Sequence, residues 1–242
     1  MMAQTSVSPL LLEVLKQETL QSVVHDLRTP MTVIKGYLQL LLSGTMGQVP
    51  AEQRQLLERS VGPLEDLIMM TENLLQASSL ENDAMNIHFV NTPLDPLLAE
   101  TIEFYQLPFK QREMQLYREG NTLGMKLFID PYWIKRVLHN LIWNAYKFTP
   151  DQGKVVLQVH HQKAGAEIII QDTGRGVPGD KIEKIFDKFE QSTPSSDRKI
   201  GSGLGLWICR RVMELHGGTI RAESIKGHGS RFILFLPYTR IL

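Results

Sequence analysis

The sequence predicts an α-helical hairpin able to form a dimeric four-helix bundle, followed by an α/β sandwich built on a mixed sheet. Three observations carry that expectation. A heptad-like apolar seam runs through residues 20–41 and recurs through 57–75, short β-rich runs alternate with helical ones after residue 86, and polar residues and glycines gather at the ends of the later elements.

Composition sets the outer bounds. The 242 residues exceed an ordinary domain of roughly 100–200, so one large or two modest domains fit. Lys and Arg number 26 against 26 Asp and Glu, a balance that argues against nucleic acid or an acidic membrane as a sequence-wide partner. The single cysteine, Cys209, excludes an intrachain disulfide framework and suits a reducing compartment. No apolar run approaches the ~18–20 residues of a membrane span, and the N-terminus lacks signal-peptide order, so a cytosolic protein is expected.

In the first half Leu20, Val24, Leu27, Met31, Ile34, Leu38 and Leu41 alternate spacings of four and three, the pattern of an a/d seam. "SGTMGQVP" (43–50) supplies a turn, after which Leu57, Val61, Leu64, Ile68 and Leu75 repeat the period to about Leu80. Val23, Leu42, Leu56, Leu67, Met70 and Leu74 widen the stripe beyond what one partner helix can cover, so two hairpins are expected to pair. Packing on the chain's own second part is the alternative. Pro30, inside the first helix, removes an N–H and costs roughly 3 kcal/mol, so a bend is expected there. Gly62 and Pro63 predict another in the second helix.

In the second half, "VVLQVHH" (155–161) and "AEIIIQD" (166–172) read as strands, with helices near 94–111, 131–147 and 203–216. The short Lys-Ala-Gly connection between those strands favours a β-hairpin, which makes the sheet mixed. Residues 1–18 are expected to be a linker or helix extension, 19–84 the hairpin and 85–242 the α/β domain.

Candidate site residues lie in the same places. In "WIKRVLHNLIWNAYKF" (133–148), Ile134, Val137, Leu138, Leu141 and Ala145 share one side, and Arg136, Asn140, Asn144 and Lys147 the other. Two asparagines one turn apart suggest a row of amide oxygens suited to a hard cation such as Mg²⁺, although a solvated face fits as well. Asp172, at a strand end in "DTGRGVP", can accept from an exocyclic amino group, while Gly174 and Gly176 let the chain pass close to a flat base or simply turn. Gly201, Gly203 and Gly205 in "GSGLGL" open a helix and form either a phosphate cradle or close helix packing. Phe186 and Phe189 in "KIFDKFEQ" are core aromatics or anchors of a lid over residues 191–203, with Lys188, Arg198 and Lys199 as its cations.

Taken in order, "HDLRTP" (25–30), "NLIWNAYKF" (140–148), "DTGRG" (172–176), "FDKF" (186–189) and "GSGLGL" (201–206) resemble the H, N, G1, F and G2 boxes of two-component sensor histidine kinases. The likeness runs from about residue 19 to 238, with mild departures at Asp26, where many members carry Glu, and Met31, where Leu is common. The resemblance implies a dimerisation and phosphotransfer hairpin followed by a Bergerat-type ATP-binding fold, one shared with gyrase, MutL and the chaperone Hsp90.

It implies roles as well. His25 would be phosphorylated from Mg-ATP, with Asp26 fixing its tautomer and Thr29 orienting water in the reverse, phosphatase direction. Asn144 would ligate Mg²⁺ with Asn140 nearby, Lys147 would meet phosphates, and Asp172, Gly174, Gly176, Phe186, Phe189, Gly201, Gly203, Leu204 and Gly205 would surround the nucleotide. The phosphoryl group would pass to an aspartate of a response regulator receiver domain. Residues 1–18 are too few for a sensory domain, so input from a separate sensory protein or a missing sensor domain is expected. A non-catalytic nucleotide-binding scaffold and a clamp-type ATPase are the rival functions.

Overall fold

The computed structural model describes residues 9–81, 87–191 and 202–238, and divides the chain into two compact units, one made by the hairpin and one by the α/β domain. Among these residues no helix is long and apolar enough to cross a membrane.

Helices α1 (Pro9–Leu42) and α2 (Ala51–Glu81) form the hairpin. Ion pairs Arg28–Glu72 at 3.2 Å and Lys35–Glu65 at 2.7 Å join the two helices. The Arg54 guanidinium donates to the Leu42 carbonyl at 3.2 Å across the turn. The seam of α1 divides: Val24 is buried and Leu20, Met31 and Leu38 are half-buried, whereas Leu27 and Ile34 are each 49% exposed. From Val24 onward, one hairpin therefore covers only alternate seam positions. Tyr37, Leu40, Leu41, Leu56, Leu67 and Leu74 join the uncovered set.

Helix α1 runs through Pro30 without interruption, and α2 through Pro63. Lacking an N–H, Pro30 leaves the Asp26 carbonyl without its helical donor. Hydroxyls serve the carbonyls on either side, Thr29 donating to His25 at 3.2 Å and Thr32 to Arg28 at 2.9 Å.

The α/β domain contains β1 (Val90–Pro93), α3 (Leu94–Gln111), β2 (Gln115–Glu119), β3 (Lys126–Ile129), α4 (Pro131–Phe148), β4 (Lys154–Gln162), β5 (Gly165–Asp172), α5 (Gly205–Leu215), β6 (Thr219–Ser224) and β7 (Ser230–Pro237). The main sheet has the order β2-β4-β5-β7-β6, with β2 parallel to β4 and every other pair antiparallel. It is the mixed sheet expected, and β4–β5 is the expected hairpin. Strands β1 and β3 form a separate antiparallel pair. Alternation selects the buried face: Val155, Leu157 and Val159 of β4, Ala166, Ile168 and Ile170 of β5, and Phe232, Leu234 and Leu236 of β7 line up across the register. Helices α3, α4 and α5 pack on the sheet.

Five strands went unread in the sequence. β1, β2 and β3 have only four or five residues, and β6 is half-exposed throughout, so none shows a clean apolar alternation. β7 is buried on both faces and reads as a plain apolar run.

Replacing Pro30 by alanine restores a donor for the Asp26 carbonyl and removes the ring clash. The hairpin is expected to gain about 1 kcal/mol or more, measured by thermal or urea unfolding. A lower melting point in the variant would show that the native backbone requires proline there.

Candidate functional site

In the α/β domain the site grows from three element ends. Asp130 caps α4: its Oδ1 accepts from the N–H groups of Tyr132 at 3.0 Å and Trp133 at 3.4 Å, and Pro131 occupies the first turn, where a missing N–H costs nothing. The apolar side of the helix, Ile134, Val137, Leu138, Leu141 and Ala145, is fully buried, which turns Asn140, Asn144 and Lys147 away from it. This polar row is not a solvated face. Asn140 is buried and its amide nitrogen has only the buried Cys209 sulfur beside it, outside good hydrogen-bond geometry, while Asn144 and Lys147 are half-buried. A buried amide with so weak a partner costs free energy unless a ligand meets it. An amide row of this kind carries oxygens for a hard cation and N–H donors for phosphate, so the residues present fit Mg²⁺ and a polyphosphate.

Asp172 closes β5. Strand parity puts it on the same face as Ala166, Ile168 and Ile170, so a carboxylate stands at the end of a buried apolar row. That burial raises its pKa above the usual carboxylate range, and backbone hydrogen bonds from Gly174, at 2.8 Å, and Ser230 act against the rise. Gly174 itself is crowded: a Cβ there would lie 2.6 Å from the Phe148 carbonyl oxygen. Between the two glycines, Arg175 lays its guanidinium over the Phe148 ring at 4.3 Å, joining this turn to the end of α4.

The third end is the start of α5. Gly205 begins the helix and buried Leu204 precedes it without a side-chain cap, leaving first-turn N–H groups for an anion. Gly203 has φ +70, and a Cβ there would sit 2.5 Å from the Phe189 carbonyl carbon. The Phe189 N–H donates to the Gly203 carbonyl at 3.0 Å, and Phe189 itself adopts φ 62 and is 66% exposed. Left-handed backbone is costly for an aromatic residue. The two phenylalanines thus separate: Phe186 is buried with the Arg210 guanidinium 5.6 Å over its ring, and Phe189 stands out. Lys188 lies 4.3 Å over the Trp207 ring, and burial together with the nearby Arg211 charge lowers its pKa. Gly201, Arg198 and Lys199 lie outside the described residues. Cys209 is buried, its thiol pushed up to about 12 by desolvation, and serves packing.

On the hairpin, His25 and Asp26 point into water, with side chains 80% and 76% exposed, and Nδ1 lies 3.4 Å from the Asp26 carboxylate. A proton on Nδ1 facing Asp26 leaves the Nε2 lone pair outward. Thr29 follows one turn later and spends its hydroxyl on the His25 carbonyl. Arg28 pairs with Glu72.

Sequence reasoning passed over Asp130 and His216. The first had a signal in Asp-Pro ahead of a helical period. The second, in "ELHGG", carries none beyond its place at a helix end; the structure buries it, with Nδ1 donating to the Val212 carbonyl at 2.7 Å and Nε2 accepting from the Asp130 N–H at 3.1 Å.

Two family models match the chain, the His Kinase A (phospho-acceptor) domain over residues 15–83 and the histidine kinase-, DNA gyrase B- and HSP90-like ATPase over residues 129–240. A circadian input-output histidine kinase, CikA of Synechococcus elongatus, is 32% identical over 92% of this chain and 30% of its own length. The sensor histidine kinase WalK of Bacillus subtilis is 30% identical over 92% of this chain and 37% of its own. The chain thus spans about a third of each of these relatives. The solved catalytic domain of the histidine kinase ThkA matches with a TM-score of 0.56 and 28% identity, over 63% of this chain and 97% of that one. With the phospho-acceptor model on its helical hairpin and the ATPase model on its α/β domain, the chain belongs to the sensor histidine kinases of two-component signalling.

Proposed function

We propose that the chain is an ATP-dependent protein-histidine kinase that phosphorylates its own His25 and passes the phosphoryl group to an aspartate of a response regulator receiver domain. The observation that carries this reading is the pairing, in one chain, of an outward His25 beside Asp26 with a partly buried polar row on α4, a glycine turn bonded to Asp172 and another at the start of α5. Residues 19–84 serve dimerisation and phosphotransfer, and residues 85–242 bind ATP.

Each side chain has a task that follows from its surroundings. His25 attacks through Nε2, and Asp26 receives the Nδ1 proton and offsets the positive charge that develops on the ring. Asp172 accepts from the exocyclic amino group of adenine, Gly174 and Gly176 allow the backbone to lie close to the base, and the Gly203–Gly205 turn offers N–H groups to phosphate. Gly201, Leu204, Phe186 and Phe189 complete the surround. Asn144 holds Mg²⁺ with Asn140 beside it, and Lys147 meets the phosphates. Bound Mg²⁺ neutralises charge on the transferring phosphoryl group. Thr29 orients water for the reverse, phosphatase reaction once its hydroxyl rotates off the His25 carbonyl.

Incubation with γ-labelled ATP and Mg²⁺ should give acid-labile, base-stable label. His25→Gln should abolish it and spare nucleotide binding, and Asn144→Asp should weaken Mg-ATP use without disturbing the hairpin. Label retained in the His25 variant would send the acceptor elsewhere. Nucleotide binding without any label would favour a scaffold, and steady ATP hydrolysis without label a clamp ATPase.

The uncovered seam residues Leu27, Ile34 and Leu41 are closed by a second copy, giving a homodimer through residues 19–80. Solution mass across concentrations should report a dimer; a monomer at micromolar protein with the hairpin still helical would overturn the pairing.

Asp172 supplies a pH dependence with two opposite signs. Because its folded pKa is raised, the native chain keeps a proton that the unfolded chain has lost, so its contribution to stability grows as pH falls through that window, above roughly pH 3.9. Adenine binding needs the ionised oxygen and weakens over the same fall. Nucleotide affinity, titrated on the wild type and on Asp172→Asn, should decline with acid only in the wild type; parallel pH profiles would remove Asp172 from the base contact.

A further inference from the structure

The Asp130 carboxylate has more to do than cap a helix. One oxygen serves the first turn of α4; the other, Oδ2, accepts from the His88 N–H at 2.8 Å. His88 and Phe89 are the residues just before β1, where the polypeptide that has left the hairpin joins the α/β domain. The main-chain N–H of Asp130 in turn donates to His216, whose other ring nitrogen is bonded to the end of α5. Phe89 packs on the same His216 ring, with centroids 5.1 Å apart, and stacks on Phe128 at 5.6 Å. One buried acidic residue therefore collects the entering chain, the start of α4 and, through His216, the end of α5.

The geometry points to Asp130 as a positioning residue for phosphoryl transfer: it ties the chain arriving from the hairpin to the helix that carries Asn140, Asn144 and Lys147. This rests on the kinase reading above. The physical reason is preorganisation. ATP must meet a histidine carried by a separate unit, and the peptide joining the two units limits the orientations the ATP-binding domain can take. A tether anchored at His88 transmits its direction to α4; a tether first held one residue later, by the Phe89 ring against His216 and Phe128, has no hydrogen bond to the start of α4 and leaves more orientations open. A carboxylate is suited to the task, since it accepts at both oxygens and its bonds to N–H groups are charge-assisted and about twice as strong as neutral ones. Nucleotide affinity depends instead on the polar row and the glycine turns, which the burial of α4 and its cap keep in place without the bond to His88.

Two substitutions separate the tie from the cap. Asp130→Ser keeps an N-cap oxygen for α4 and is too short to reach His88 as well. His88→Pro leaves Asp130 whole and deletes the donor; it also fixes φ at 88 and removes the imidazole, and His88→Ala, which keeps the N–H, is the control for the side chain. In the full chain, with Mg-ATP, affinity is measured with a fluorescent ATP analogue and the initial rate of histidine labelling at saturating ATP, with circular dichroism as the check of folding. Both variants should bind nucleotide within about twofold of the wild type and label about tenfold more slowly, a loss confined to the step that needs alignment. A folded variant of either kind that labels at the wild-type rate overturns the tie. So does a parallel loss of affinity and rate, which marks a purely structural role. Should Asp130→Ser fail to fold, His88→Pro decides alone. A wild-type chain that takes no label overturns the kinase reading and the tie with it, whereas label that is undiminished in the variants overturns the tie alone.

Discussion

Helix α4 has to answer to two environments at once, and most of the α/β domain is arranged around that demand. Its apolar side, from Ile134 to Ala145, is fully buried, and at about 3.6 residues per turn this burial fixes the azimuth of everything else on the helix. Asn140, Asn144 and Lys147 stand where they do because Val137, Leu138 and Leu141 cannot stand anywhere else. The cap at Asp130 fixes position along the axis, and the Arg175–Phe148 contact holds the far end against the turn that follows β5. The poorly served Asn140 amide, with only the Cys209 sulfur for a partner, is the cost of this arrangement. A core under selection for stability alone would place an apolar residue there.

The same reasoning runs through β5. A strand with Ala166, Ile168 and Ile170 on its buried face delivers whatever residue comes next in the alternation to that face, and here it is Asp172. Its raised pKa is thus a consequence of strand parity as much as of local chemistry. Gly174 must then reverse the chain within touching distance of the Phe148 carbonyl, which leaves no room for a side chain. Acceptor, turn and helix end are one packing problem.

How much of this was legible in the sequence follows from the range of each interaction. Helices α3 and α4 and the β4–β5 hairpin were readable because long periodic stretches are decided by neighbours in sequence. The short strands β1, β2 and β3 were not, since pairing with distant residues defines them. The α1 seam was recognised whole, yet which half a single hairpin covers depends on the rotation of α2, which no spacing encodes. Phe186 and Phe189 looked equivalent at three residues apart; a left-handed backbone at Phe189 sends one inward and the other out. Asp130 announced its cap through Asp-Pro, but its bond to His88 spans 42 residues and could be seen only in the folded chain.

His25 presents the opposite economy. Its contact with Asp26 is long, at 3.4 Å, and both side chains are largely in water, where such a pair contributes little. What the hairpin holds firmly is the main chain around His25: hydroxyls on the His25 and Arg28 carbonyls, an Asp26 carbonyl released by Pro30, and Arg28 tied to Glu72. The imidazole itself stands in water. In the kinase reading, Asp26 therefore gains its strength only when an approaching nucleotide displaces water from the pair and the local dielectric falls. Under the same proposal, an acceptor that serves ATP in one encounter and a receiver aspartate in another is better left unlocked, because a ring fixed for the first partner would have to be released for the second.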